Sequence, residues 1–292
     1  MTDAAPTTVP DETALFHRAA RRNRFTAREA TVVAVTSPAP EYVRLTLTGP
    51  DFADFTSTGP GDHARTFFPD PRTGELVAPV ATGPGEDGIV RPQAPTFGRD
   101  FTPLHVRDED GRRFVDLDIL RHDSPGPAAQ FAATAAVGDR LVLVGPRGST
   151  SATQNAPRVV LVVDGTSLPA AGRWLAEVPA STDVEIIVWG HAVEAAHAYL
   201  SGFADRAFGL HSAGRGEGDH GGVDLVAALE TVGVDAATYV FAAGEASALV
   251  PLRRHLRHTL RLPREQYAVS GYWRIGVEAW DHHAPIDPID PD

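Results

Sequence analysis

A chain of 292 residues with 42% hydrophobic residues and a formal charge of −12 has material for two ordinary cores. It contains no cysteine, which excludes disulfides, thiolate catalysis, zinc–thiolate sites and Cys-ligated iron–sulfur clusters. Every basic residue is Arg, so Schiff-base catalysis and a P-loop lysine are excluded as well. The acidic balance argues against nucleic acid or an anionic membrane as partner, and an anionic ligand would need a local Arg cluster. No apolar run is long enough for a membrane span and the N-terminus lacks a signal-type apolar region, so the expectation is a cytoplasmic protein without a membrane span.

In chain order, residues 1–24 read as a loosely held polar segment, with a short helix over Leu15 to Arg22. From Ala30 the pattern alternates with the period of strands. The runs ATVVAVTS, YVRLTLTG, HARTFFP, RDFTPLHVRD, RFVDLDILRH and DRLVLVGP give six short strands, with one helix before the last. Such a series predicts a six-stranded antiparallel barrel over residues 25–153. Residues 69–97, rich in Gly and Pro, read as a long loop.

After Gly148 the pattern changes. RVVLVVDG, DVEIIVWG, FGLHS, TYVFAAGE and QYAVSGYW alternate with helical runs, which predicts an α/β domain with a parallel sheet over residues 157–276. Residues 277–292 form an acidic, Pro-rich tail. In such a sheet ligands bind beyond the carboxyl ends of the strands, so the loops to watch are DGTSLP, WGHAVE, SAGRGEGDHGG and AAGEAS.

Several short motifs carry chemistry. On a strand, Arg99 and Phe101 share one face while Thr102 turns to the other; Arg can meet a phosphate and Phe a flat ring. Gly126, Pro127, Ala128 and Ala129 open a helix whose free amides and positive dipole end suit an anion, although tight packing on the barrel calls for the same small residues. In the loop after RVVLVV, Asp164 and Thr166 stand where a three-glycine fingerprint is absent; Thr166 is either a simple helix cap or a phosphate contact. Glu245 starts the helix after TYVFAAGE and suits an N-cap or a ligand contact. Tyr272, Trp273 and Arg274 follow the last strand and suit a planar cofactor, an anionic substrate or plain packing of the tail. The histidines, His63, His105, His122, His282 and His283 among them, show no metal-ligand spacing, so no metal site is expected.

Taken together, these motifs resemble the siderophore-interacting protein family, a branch of the ferredoxin-reductase-like flavoproteins that includes ferric-siderophore reductases. The resemblance runs from Thr31 to Gly276 and rests on order and spacing: Arg99 to Thr102, Asp118 to His122, Gly126 to Ala129, Gly138-Asp139, Gly145 to Gly148, Asp164 to Pro169, Ala243 to Glu245 and Gly271 to Arg274. It implies FAD in the barrel domain and NAD(P)H in the second domain. By resemblance, Arg99, Phe101 and Thr102 hold the flavin, Asp118 and His122 lie near it, and the amides of Gly126 to Ala129 receive the FAD phosphates. Asp164, Thr166 and Glu245 line the nicotinamide-nucleotide side, and Arg274, with Tyr272 and Trp273, meets an anionic iron chelate.

The chain departs from the family pattern at Phe101 (usually Tyr), Leu104 (often Arg), Ala129 (Ser), Phe131 (Trp) and Gly165 (Glu). The implied function is a flavin-dependent reductase passing electrons from NAD(P)H through FAD to a ferric siderophore or similar chelate. Two alternatives stay open. One is an FAD enzyme acting on an organic small molecule without NAD(P)H, with His105, His122 or Asp118 as acid or base. The other is a cofactor-free binding protein of the same fold.

Overall fold

The computed structural model describes residues 14–122, 126–214 and 222–291. Instead of a helix, Ala20–Arg22 forms strand β1, which pairs with β11 (Gly148–Thr150). The segment before it is held by Arg18, which donates to the Tyr239 hydroxyl at 2.7 Å and lies over the Trp174 ring. A chain end pinned by main-chain pairing and a cation–π contact cannot wind into a helix at the same residues. Residues 1–13 of the expected N-terminal segment lie outside the described residues.

The N-terminal sheet has seven strands, not six: β2 (Ala27–Thr36), β3 (Tyr42–Thr48), β4 (Ala64–Phe68), β7 (Phe97–Phe101), β8 (Leu104–Glu109), β9 (Arg112–Leu120) and β10 (Arg140–Val144). Their order is β7-β4-β10-β2-β3-β9-β8, every pair antiparallel. The extra strand arises because RDFTPLHVRD is not one strand. Pro103 has no amide to give to a ladder, and His105 takes a positive φ of 44°. The chain leaves β7 on one edge of the sheet and enters β8 on the other through Thr102 and Pro103 alone. Two edges joined by two residues force the sheet to curl. The result is an open half-barrel, with no ladder between β7 and β8 among the described residues. Within the long 69–97 stretch, β5 (Val80–Ala81) and β6 (Ile89–Val90) form a small hairpin.

Inside the half-barrel lie Val32, Leu45, Leu47, Phe52, Phe55, Phe68 and Leu117, all without solvent exposure. Helix α1 (Pro127–Thr134) closes the open side, packing Ala128 and Ala132 into that core.

The second domain is a five-stranded parallel sheet built from β12 (Arg158–Val163), β13 (Asp183–Val188), β14 (Gly209–Ser212), β15 (Thr238–Glu245) and β16 (Tyr267–Trp273), in the order β14-β13-β12-β15-β16. Val159 to Val163 are wholly buried because helices cover both faces. Helices α2 (Leu168–Glu177) and α3 (Val193–Leu200) cover one face around Trp174; α4 (Leu225–Val232) and α5 (Ala246–Arg254) cover the other. The strand order reverses between β12 and β15, which puts the ligand crevice of such a sheet at their carboxyl ends. No helix among the described residues is long and apolar enough to cross a membrane.

The barrel lends Ala39 and Tyr42 to the core of the second domain. Tyr42 from β3 stacks on Tyr199 from α3 with ring centroids 4.4 Å apart, and its hydroxyl donates to the Gly165 carbonyl. Arg173 of α2 reaches into the barrel side, donating to Ser57 Oγ at 2.7 Å and to the Pro103 carbonyl at 3.2 Å.

Candidate functional site

The barrel half of the site begins at β7. Arg99 is partly buried, donates to the Gly98 carbonyl at 2.8 Å and meets the Glu278 carboxylate at 3.4 Å. Phe101 lies edge-on to Phe68, whose ring also meets Phe131 of α1. Gly126 is the N-cap of α1, extended at φ −71° and ψ 177°, with no side chain to satisfy the helix amides. Pro127 fills the first helical position, where its missing N–H costs nothing. Among the described residues, a Cβ added at Gly126 would find one neighbour, Arg99 Nη2, 3.9 Å away. A guanidinium therefore stands beside an uncapped helix N-terminus with open space between them. Positive dipole end and fixed cation point at the same place, which fits a pyrophosphate. The residues present thus fit the phosphates of FAD: with Ala129 in the first turn of α1, an anion here would meet main-chain amides and Arg99.

The α/β half is organised by Asp164, buried at the carboxyl end of β12. Its Oδ1 accepts from the Thr166 amide at 2.9 Å and the Thr166 hydroxyl at 2.6 Å. Its Oδ2 accepts from the Glu245 amide at 2.9 Å and the Trp273 indole at 2.8 Å. Burial pushes the Asp164 carboxyl above its ordinary range, and these donors oppose the rise. One carboxylate thus ties together the ends of β12, β15 and β16. Gly244, at φ 147°, is required there, since any Cβ would collide with Asp164 Oδ2 at 2.5 Å. Glu245 is an N-cap: one oxygen accepts from the Ala248 amide at 2.7 Å and the other from Ile275 N at 3.1 Å. Thr166 spends its hydroxyl on Asp164, and Ser167 takes the N-cap position of α2.

The halves meet where Tyr272 of β16 lies beside Thr102; burial pushes the Tyr272 phenol up. Trp273 is 39% exposed, and Arg274 lies over the Trp280 ring, 5.2 Å from its centroid.

Other expected residues sit elsewhere. Asp118, fully buried at its side chain, accepts both arms of Arg44 at 2.7 Å and the Tyr199 hydroxyl at 2.6 Å. It joins the two domains. His105 Nδ1 pairs with Asp116 at 3.0 Å and its ring stacks on Phe203, on the same junction. His122 is exposed at the end of β9, next to residues 123–125, which lie outside the described residues, as do 215–221 of the SAGRGEGDHGG loop.

Sequence spacing missed two groups. Arg44, Arg173 and Tyr199 form the junction, and no local motif marks them. His63, His282 and His283 come together although the chain separates the first from the others; burial beside His282 pushes the His63 imidazole down to about 4. The doublet His282-His283 in the tail was the only signal available.

A curled antiparallel sheet with an anion locus at its helix, set against a parallel sheet with its crevice facing the junction, defines a ferredoxin-reductase-like flavoprotein. Residues 31–150 match the siderophore-interacting FAD-binding domain, and residues 156–276 match the siderophore-interacting protein domain that follows it. A solved siderophore utilization protein from T. fusca is 33% identical, with a TM-score of 0.74, over 92% of this chain and 100% of that one. The chain belongs to the siderophore-interacting protein family. The ferric vibriobactin reductase ViuB of Vibrio cholerae is 25% identical over 82% of this chain and 87% of its own length. The NADPH-dependent ferric-chelate reductase of Escherichia coli is 34% identical, but over 53% of this chain and 58% of that protein.

Proposed function

We propose that the protein is a flavin-dependent reductase that takes electrons from NAD(P)H and delivers them to a ferric siderophore or a similar ferric chelate. The observation that carries this reading is the Arg99–Gly126 locus, whose strand β7 leads through Thr102 to Pro103, where Arg173 of the second domain donates to the Pro103 carbonyl. Family membership and the ferric reductases among the relatives support it.

Bound FAD supplies the conversion of a two-electron donor into one-electron deliveries to iron. The chain binds and orients. Arg99 and the α1 amides hold the phosphates, and Phe101 lies beside the ring system. Thr102 and Tyr272 fix where the barrel ends and the second domain begins. Asp164, with Glu245 and Trp273 locked to it, keeps the loops at the ends of β12, β15 and β16 in one arrangement where the nucleotide enters. Arg274, on the partly exposed segment after β16, offers a cation to an anionic chelate. No side chain needs to move a proton for electron transfer to iron, consistent with Asp118 being committed to Arg44 and Tyr199.

The test is an anaerobic spectrum of the FAD-loaded protein. NADH or NADPH is expected to bleach the flavin absorbance, and a ferric siderophore to restore it while a ferrous-specific dye develops colour. A protein that takes up no FAD, or one that is yellow but reduced by neither nucleotide, overturns the proposal.

A further inference from the structure

We infer that His63, His282 and His283 bind one divalent first-row transition-metal ion, which fastens the C-terminal tail to the half-barrel. The three residues come from two distant parts of the chain, the entry to β4 and the segment after Trp280. One ligand nitrogen from each lies within 4.8 Å of the others. The His63 and His282 ring centroids are 4.0 Å apart, as are those of His282 and His283. Bringing the nitrogens onto an ion at about 2.0–2.1 Å needs only a small inward turn of the rings, and His283, exposed on the tail, is free to make it.

The surroundings select a ligand rather than plain packing. His282 Nε2 is buried without a hydrogen-bond partner, and so is Nδ1, an arrangement that costs free energy unless something occupies the site. Its other nitrogen, Nδ1, lies 3.2 Å from Asp100 Oδ2. Arg65 in turn donates to that carboxylate at 2.9 Å. An ion on one imidazole nitrogen would fix the ring and let the opposite nitrogen turn its N–H onto this nearby carboxylate, the usual support of a metal-bound histidine. Asp100 is therefore a positioning residue here. Three imidazoles without thiolate suit Zn²⁺, Fe²⁺, Ni²⁺ or Cu²⁺ and do not suit Mg²⁺ or Ca²⁺, which require oxygen. The exposed side at His283 leaves room for water as a further ligand.

Among the described residues the tail meets this edge of the barrel through the Arg99–Glu278 pair, whose carboxylate is 83% exposed, the His282–Asp100 contact and the packing of the histidine rings on His63. Its remaining anchors lie on α5 and β16: Arg254 to Asp287 at 2.6 Å and the Trp280 indole to the Gly271 carbonyl at 3.2 Å. An ion at the three histidines would turn these non-covalent contacts into a coordinated attachment.

The experiment uses the full chain, freed of any histidine tag and stripped with a chelator, titrated with Zn²⁺ by calorimetry and with Co²⁺ by visible absorption. One equivalent is expected to bind, with cobalt bands of a nitrogen-rich site. His283→Ala changes an exposed residue and leaves the fold intact; it is expected to weaken binding by about tenfold or more, as is His282→Ala. Asp100→Asn is expected to weaken it about tenfold while keeping the cobalt bands. His197→Ala, an exposed histidine on α3, is expected to change nothing. Absence of stoichiometric Zn²⁺ binding in the wild type, or binding undiminished in His283→Ala, overturns the inference.

Discussion

The Tyr199 hydroxyl donates to the Asp118 carboxylate at 2.6 Å across the junction between the two domains. Asp118 has no side-chain exposure, and Arg44 grips it with two bonds of 2.7 Å. The α/β domain therefore closes a buried ion pair that belongs to the barrel. Tyr199→Phe removes one bond to a charged acceptor that keeps its Arg, and is expected to cost about 1.5–2 kcal/mol. Arg44→Met leaves a buried carboxylate with a single neutral donor and is expected to cost more, about 3 kcal/mol or above. Urea unfolding followed by tryptophan fluorescence gives the order. Equal losses, or a larger loss in Tyr199→Phe, would show that the tyrosine and not the arginine carries the buried charge.

Gly126 tests the phosphate locus without disturbing the protein that forms it. Its φ of −71° and ψ of 177° are open to any residue, and an added Cβ has 3.9 Å to Arg99 Nη2. Gly126→Val is thus expected to fold with wild-type circular dichroism and wild-type melting in the absence of flavin. The new side chain fills the space in front of the α1 amides, so the variant is expected to purify colourless and to resist reconstitution with FAD. A fully yellow Gly126→Val protein would remove the phosphates from this place.

Legibility in the sequence followed the range of the interactions. The parallel sheet could be read because RVVLVV and TYVFAAGE are buried on both faces and their character is local. The seventh strand was harder to read: RDFTPLHVRD alternates on both sides of Pro103, and that its two halves pair with β4 and β9 on opposite edges of the sheet is a long-range fact. Arg99 and Gly126 were readable as types of residue suited to an anion; their 3.9 Å proximity was not. Asp164 was readable as a loop residue, but its bonds to Glu245 and Trp273 span 81 and 109 residues. Asp118 was readable as part of a motif, but its partners, Arg44 and Tyr199, belong to no motif and lie 74 and 81 residues away.

Acid should expose a second arginine–carboxylate group. Asp54 accepts from Arg24 and from the buried Arg28, and the Arg24 hydrogen bond above all pulls its carboxyl down to about 2 from 3.8. In the unfolded chain Asp54 takes up its proton near 3.8; in the folded protein it does so only near 2. Between those values the unfolded state binds more protons, so stability rises with pH across this window. The contribution is complete above about pH 4 and fades as pH falls toward 2. Because Asp54 is 45% exposed, solvent screening holds the effect to about 1 kcal/mol. Asp54→Asn should be less stable than wild type at pH 7, and the gap should narrow on acidification to pH 3. A gap that stays constant in urea titrations over that range would assign the loss to something other than the charge.

Phe101 and Ala129 are the two departures from the family pattern closest to the phosphate and ring positions. Neither leaves a hole: Phe101 packs edge-on to Phe68 at 5.9 Å, and Ala129 is part-buried in the first turn of α1. What they lack is a hydroxyl each. One hydrogen bond is worth about 1 kcal/mol net, which is several-fold in affinity. Phe101→Tyr and Ala129→Ser are each expected to slow FAD loss on gel filtration and tighten reconstitution several-fold, with apo stability unchanged within about 0.5 kcal/mol. The two hydroxyls address different parts of the cofactor, the ring system and the phosphates, so the double variant should combine the gains additively. A gain from Ala129→Ser with none from Phe101→Tyr would keep the phosphates at α1 and move the ring system away from β7. The reverse result would keep the ring system and move the phosphates.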